Sequence, residues 1–94
     1  YASIIRRALD ARRINARQYT ILSMLLARGR PWPLAELRLM PWYASLYLKL
    51  NDKTRVRDLH RLRDLELAWL DTDDALWPGF VQPSTIKPLS KKGG

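Results

Sequence analysis

Three prolines, Pro31, Pro33 and Pro41, most restrict how this chain can fold. Each lacks a backbone donor and restricts the residue before it, so no long helix can run through residues 30–42. Regular structure must come in separate pieces on either side. Residues 30–33, Arg-Pro-Trp-Pro, read as a rigid extended linker. Leu34 to Met40 reads as a short helix with Pro33 at its first position and Pro41 at its end. Trp42 to Leu48 reads as another, with Tyr43, Leu46 and Tyr47 on its buried face.

The flanks are helical by pattern. Residues 2–13 place Ile4, Ile5, Ala8 and Leu9 on one side and Arg6, Arg7, Arg12 and Arg13 on the other. Asn15 reads as an N-cap, and Gln18 three residues on completes a capping box. The helix it opens runs to about Arg28, stops at Gly29, and carries Leu22, Leu25 and Leu26 inward. Asn51 or Asp52 caps a second strong helix over about residues 53–66. Val56, Leu59, Leu62 and Leu65 form its expected stripe. Leu22, Leu25, Leu26, Leu46, Leu59 and Leu62 are the expected core, joined by Trp42 and Trp69.

After the second helix the pattern changes. Leu67–Leu70 is strand-compatible, Asp71–Asp74 is a turn cluster, and Ala75–Trp77 returns before Pro78 and Gly79. The pair reads as a β-hairpin. The chain is thus expected to be mainly α with a short hairpin, in the layout of a winged helix-turn-helix. Residues 1–81 form one expected domain and 82–94 a loose basic tail. The opening Tyr1, in place of Met, suggests a domain excised from a larger protein.

Charge gives the functional hint. Seventeen Lys and Arg against nine Asp and Glu leave a net charge of +8. Residues 1–30 carry seven basic side chains and one acidic; residues 31–63 carry seven and three. Residues 64–80 carry five acids and no base. An anionic partner would therefore meet the first two-thirds of the chain, or the tail. The chain has no cysteine and one histidine, His60, which excludes disulfides, thiolate metal sites and His-based zinc sites. No apolar run is long enough for a bilayer span and no secretory signal opens the chain, so the default compartment is the cytoplasm.

Two stretches resemble a known family. Asn15, Arg17 and Gln18, followed by Ile21-Leu22 and Leu25-Leu26, match its opening helix. Tyr43–Leu46, the Asn51–Thr54 turn and Arg57-Asp58-Leu59 with Leu62 match its helix-turn-helix. The combination is similar to the winged helix at the C-terminus of many Fic/DOC-family proteins, and more loosely to DeoR-type regulators. The resemblance implies a DNA-binding regulatory module, attached to a catalytic domain that transfers a nucleotide monophosphate. The Fic catalytic signature, beginning His-Pro-Phe, is absent, because His60 is followed by Arg61 and Leu62; no catalytic residues or cofactors are expected in this chain. The chain departs from the pattern in three ways. Arg55 replaces a small or apolar residue. Glu66 replaces a helix-ending glycine, so another exit conformation is expected. Asp71, Asp73 and Asp74 make the wing acidic.

Two functions follow from these residues. In the first, Lys49, Asn51, Lys53, Thr54, Arg55, Arg57 and Arg61 form a footprint on double-stranded DNA, with Thr54 reaching a phosphate. The bland reading of the same helix is a solvated face with Arg55–Asp58 and Arg61–Asp64 pairs. Adjacent Arg57 and Asp58 do not face each other, so Asp58 is placed to hold a basic side chain of the preceding segment. In the second, the winged helix contacts protein, by self-association or by docking on a catalytic domain, with Trp77 as the interface candidate. The Arg6, Arg7, Arg12 and Arg13 set reads as a solvated face, and His60 as a half-buried packing residue.

Overall fold

The computed structural model of the protein describes residues 1–79. The expected tail at 82–94 lies outside the described residues. The elements are α1 (Ala2–Asp10), α2 (Ala16–Arg28), β1 (Trp32–Pro33), α3 (Leu34–Leu37), α4 (Pro41–Leu46), α5 (Asp52–Asp64), β2 (Ala68–Leu70) and β3 (Ala75–Pro78). The fold is mainly helical with one small antiparallel sheet of order β1-β3-β2. Among the described residues no helix is long and apolar enough to cross a membrane.

Local chemistry sets the helix ends. The Asn15 side chain accepts the Gln18 N–H, and the Gln18 side chain accepts the Asn15 N–H, both at 2.8 Å. Gly29 ends α2 in the left-handed region at φ 75°. At α5 the Asn51 side chain accepts the Thr54 N–H at 3.0 Å. Helices α1 and α5 close alike. Arg12 and Glu66 take left-handed φ values of 60° and 59°. The next amide reaches back to a carbonyl five residues earlier, Arg13 to Ala8 and Leu67 to Leu62, both at 2.9 Å. This is the Schellman closure that glycine usually serves. Glu66 therefore does not force a different exit, as the sequence suggests; it adopts the glycine conformation itself, with buried Leu67 behind it.

The sheet holds the main difference from the sequence reading. Residues 32 and 33, expected as plain linker, form an edge strand, with Trp32 opposite Leu76 and Pro33 opposite Ala75. An edge is the place where a sheet tolerates proline. The hairpin is as expected, with Trp69 opposite Trp77. Asp71 organises its turn: one carboxylate oxygen accepts the N–H groups of Asp73 (2.8 Å) and Ala75 (2.9 Å), and the other accepts the Trp77 indole N–H at 2.7 Å.

The core draws on all five helices and the sheet, with Ile5 and Ala8 of α1, Leu37 of α3 and Tyr43 of α4 buried beside α2 and α5. Leu22, Leu25, Leu59 and Leu62 are buried as expected, while Leu26 and Leu46 are half-buried. Trp69 is buried and Trp42 half-buried. Val56 is 46% exposed, against expectation. Steps of three residues fall about 60° short of a full turn, so two steps back from Leu62 have rotated well off the core face. Ile4 is turned out of α1 as well, at 52% exposed.

The two ends of the described chain are fastened together. The Tyr1 hydroxyl donates to the Leu67 carbonyl, and the Gly79 N–H lies 3.0 Å from that carbonyl and 3.3 Å from the Tyr1 hydroxyl. The Trp69 indole N–H donates to the Gly79 carbonyl at 3.1 Å. A β-carbon on Gly79 would stand 2.5 Å from the Glu66 carbonyl oxygen and 2.8 Å from the Leu67 carbonyl carbon.

Two stability outcomes follow. Leu59→Ala is expected to cost on the order of 2–5 kcal/mol in denaturant unfolding, and Val56→Ala less than about 0.5 kcal/mol. Comparable losses would mean that α5 is rotated from the orientation described. Gly79→Ala pushes backbone against backbone and is expected to cost about 1–3 kcal/mol, read as a fall in Tm.

Candidate functional site

Asp58 sits in the middle of α5 and is buried, at 5% exposed. Its carboxylate accepts four hydrogen bonds. Arg17 donates through Nε (2.8 Å) and Nη2 (3.3 Å), Tyr47 through its hydroxyl (2.6 Å), and Asn15 through Nδ2 (3.2 Å). Buried Gln18 adds a bond to the Asp58 backbone carbonyl at 3.1 Å. One carboxylate thus joins the start of α2, the end of α4 and the middle of α5. Burial pushes the Asp58 carboxyl up, but the bonds from Arg17, Tyr47 and Asn15 together outweigh it and hold it below its ordinary value. Burial, then the bond to Asp58, pushes the Tyr47 phenol well above its ordinary value, so it stays the donor.

The base that Asp58 holds therefore comes from α2, 41 positions earlier in sequence, and the expected Arg55–Asp58 pair does not form. Arg55 pairs with Asp52 at 3.3 Å instead, and its guanidinium lies over the rings of Tyr43 and Tyr47 at 5.9 and 5.6 Å. With its side chain 27% exposed, Arg55 belongs to the packing between α4 and α5. An arginine with a flat face can fill this position, which explains how the chain accommodates the departure.

The opposite side of α5 is open. Lys53, Val56, Arg57, His60 and Arg61 are exposed, at spacings of three and four residues that put them on one outward face. His60 is thus a surface residue and not a half-buried one. An apolar hollow between Asp52, Lys53, Val56, Arg57 and His60 lies on this face, with the Asp52 carboxylate at its edge paired to Arg55. Lys49 is exposed in the segment before α5. Asn51 is occupied as the N-cap, and the Thr54 hydroxyl donates to it at 3.2 Å.

Beside that face lies a groove of about 710 Å³. Arg57 and Arg61 of α5 form one wall, Arg12 and Arg13 of the α1–α2 turn the other, and Arg17 with Asp58 the floor. The Arg61 Nε–H donates to the Arg13 carbonyl at 3.2 Å, which ties the turn to the helix. The expected Arg61–Asp64 pair gives way to this contact. Arg12 and Arg13, read from sequence as a solvated face, thus share one groove with the basic residues of α5.

At the hairpin, Asp71 is 6% exposed and its carboxylate is taken up by the turn. Asp73 and Asp74 are exposed. Trp77 is half-buried with its N–H on Asp71.

Sequence reasoning missed Arg12, Arg13, Arg17 and Tyr47. A signal for Arg17 was present: it stands in the first turn of α2, which holds no acid, where a cation opposes the helix dipole. Such a residue calls for a carboxylate from elsewhere.

Comparison with protein-family models, with curated proteins and with solved structures finds no significant match to this chain.

Asp58→Asn is expected to cost about 2–4 kcal/mol, since it leaves the Arg17 charge uncompensated. The folded carboxyl titrates below its unfolded value of about 3.9, so its contribution is complete above that pH and is lost as pH falls through the folded value. Below about pH 4 the native protein should lose stability faster than the Asp58→Asn variant. Parallel acid slopes in denaturant titrations of the two proteins would show that the carboxylate is not held charged.

Proposed function

We propose that this chain is a DNA-binding module of winged-helix type, with α5 as recognition helix and the β2–β3 hairpin as wing. The observation that carries this reading is the outward face of α5, where Lys53, Val56, Arg57, His60 and Arg61 stand exposed together. The chemistry suits a major groove. Val56 offers methyl groups to thymine, His60 can bond a base edge, and Lys53, Arg57 and Arg61 neutralise flanking phosphates.

The element order supports the same reading. A helix, an edge strand, short helices, a long helix and a hairpin follow in sequence, and the edge strand pairs with the far strand of the hairpin. The likeness to the Fic-associated winged helix gains support at Asp58. Its two matching stretches, one around Arg17 and one around Asp58, meet there in a direct contact. On this reading the chain is the regulatory end of a larger protein whose catalytic domain lies elsewhere. The wing is less hostile to phosphate than its composition implies, because the Asp71 charge is turned inward; Asp73 and Asp74 keep the hairpin tip off the backbone and leave binding to α5.

Fluorescence anisotropy with duplex DNA at two salt concentrations tests the reading. The Lys53→Ala, Arg57→Ala double variant should weaken binding and flatten the log–log salt dependence by about one to two units. An Arg6→Ala, Arg30→Ala variant of equal charge should stay within about twofold of the parent. Equal losses from both pairs would leave only diffuse attraction. Absence of binding by the parent chain would shift the reading to protein contact, with Trp77 the first residue to replace.

A further inference from the structure

We infer that the groove between the α1–α2 turn and α5 is a phosphate-binding site, and that in the duplex complex it grips the DNA backbone beside the reading face of α5. This rests on the DNA-binding reading above. Five guanidinium groups line the groove, from Arg12, Arg13, Arg17, Arg57 and Arg61. Asp58 is the one carboxylate among the described lining residues, and Arg17, Tyr47 and Asn15 already bind it. What faces an incoming anion is therefore an excess of positive charge from Arg12, Arg13, Arg57 and Arg61.

The groove is built as well as charged. Arg12 and Arg13 sit on the Schellman turn of α1, a backbone conformation fixed by two hydrogen bonds, Arg12 to Leu9 at 3.0 Å and Arg13 to Ala8 at 2.9 Å. The Arg61 bond to the Arg13 carbonyl holds that turn against α5. The start of α2 is not what attracts the anion, since its capping box occupies the Asn15 side chain and the Gln18 amide. Guanidinium forks converging from two walls suit phosphate oxygens, which accept bidentate pairs. Asp10, the carboxylate of α1, is not in the groove lining and pairs with Arg6 at 3.6 Å. Backbone phosphodiesters fit better than base edges here, because the base-reading position belongs to Val56 and His60 on the outward face.

The test pairs Arg12→Gln, Arg13→Gln with a control of equal charge, Arg6→Gln, Arg7→Gln. Both groove side chains are exposed, and glutamine keeps a β-carbon at Arg12, so thermal melting should be unchanged. The groove variant should bind duplex DNA about tenfold more weakly or worse, with the salt slope flattened by up to about two units. The loss should be the same on A·T-rich and G·C-rich duplexes, because phosphates carry no sequence information. A groove variant no weaker than the control overturns the groove and leaves the α5 reading standing. If the parent chain binds no duplex, the DNA reading falls. Titration with tripolyphosphate, followed on the arginine side-chain N–H resonances, then decides the site alone: shifts at Arg12, Arg13 and Arg61 sustain a phosphate site, and unmoved resonances overturn it.

Discussion

The buried carboxylate of Asp58 is the fastening on which the helical half of this fold depends. The start of α2, the end of α4 and α5 all meet at it, through Arg17 and Asn15, through Tyr47, and through its own helix. A carboxylate stays charged in such a place only when its oxygens are fully bonded, and here they are. Apolar packing alone would let α5 slide or roll against α2. A bidentate arginine and a phenol on one acid do not, because their geometry is directional. The orientation of the outward face of α5 is therefore set from the inside of the molecule.

The same arrangement sorts the basic residues into two populations. Arg17, Arg28 and Arg55 are part of the structure: one binds Asp58, one lies 4.4 Å over the Trp32 ring, and one covers Tyr43 and Tyr47. Lys53, Arg57 and Arg61, with Arg12 and Arg13, face outward. Total charge is thus a poor guide to binding capacity in this chain. What counts is which guanidinium groups remain after aromatic faces and carboxylates have taken their share.

Much of the fold was legible because its signals are local. Asn15 with Gln18, Gly29, and Asn51 announce helix ends through bonds made within four residues. The Asp71–Asp74 cluster announces the hairpin in the same way. What stayed hidden depends on distant partners. Strand β1 exists only because β3 comes back to pair with it more than 40 positions later. Val56 looked like core because a spacing of three mimics helical periodicity over one turn and departs from it over two. Glu66 looked like an obstacle because a left-handed carboxylic residue is uncommon, though the packing of Leu67 makes the conformation worthwhile. At the candidate site the basic helix was visible in composition. The partition of its arginines, and the contribution of Arg12 and Arg13, arise only when α1, α2 and α5 are brought together.

The clasp among Tyr1, Leu67 and Gly79 makes residues 1–79 a nearly closed ring of chain. A short linker from position 79 back to position 1 would add little conformational freedom to remove on folding, since the ends already meet. The domain is therefore suited to being reopened elsewhere, with new termini in an exposed stretch such as the one around Lys49, before α5 and well away along the chain from Leu67 and Gly79. Read mechanically, a pull applied between the two ends is borne first by this clasp and by the sheet edge behind it.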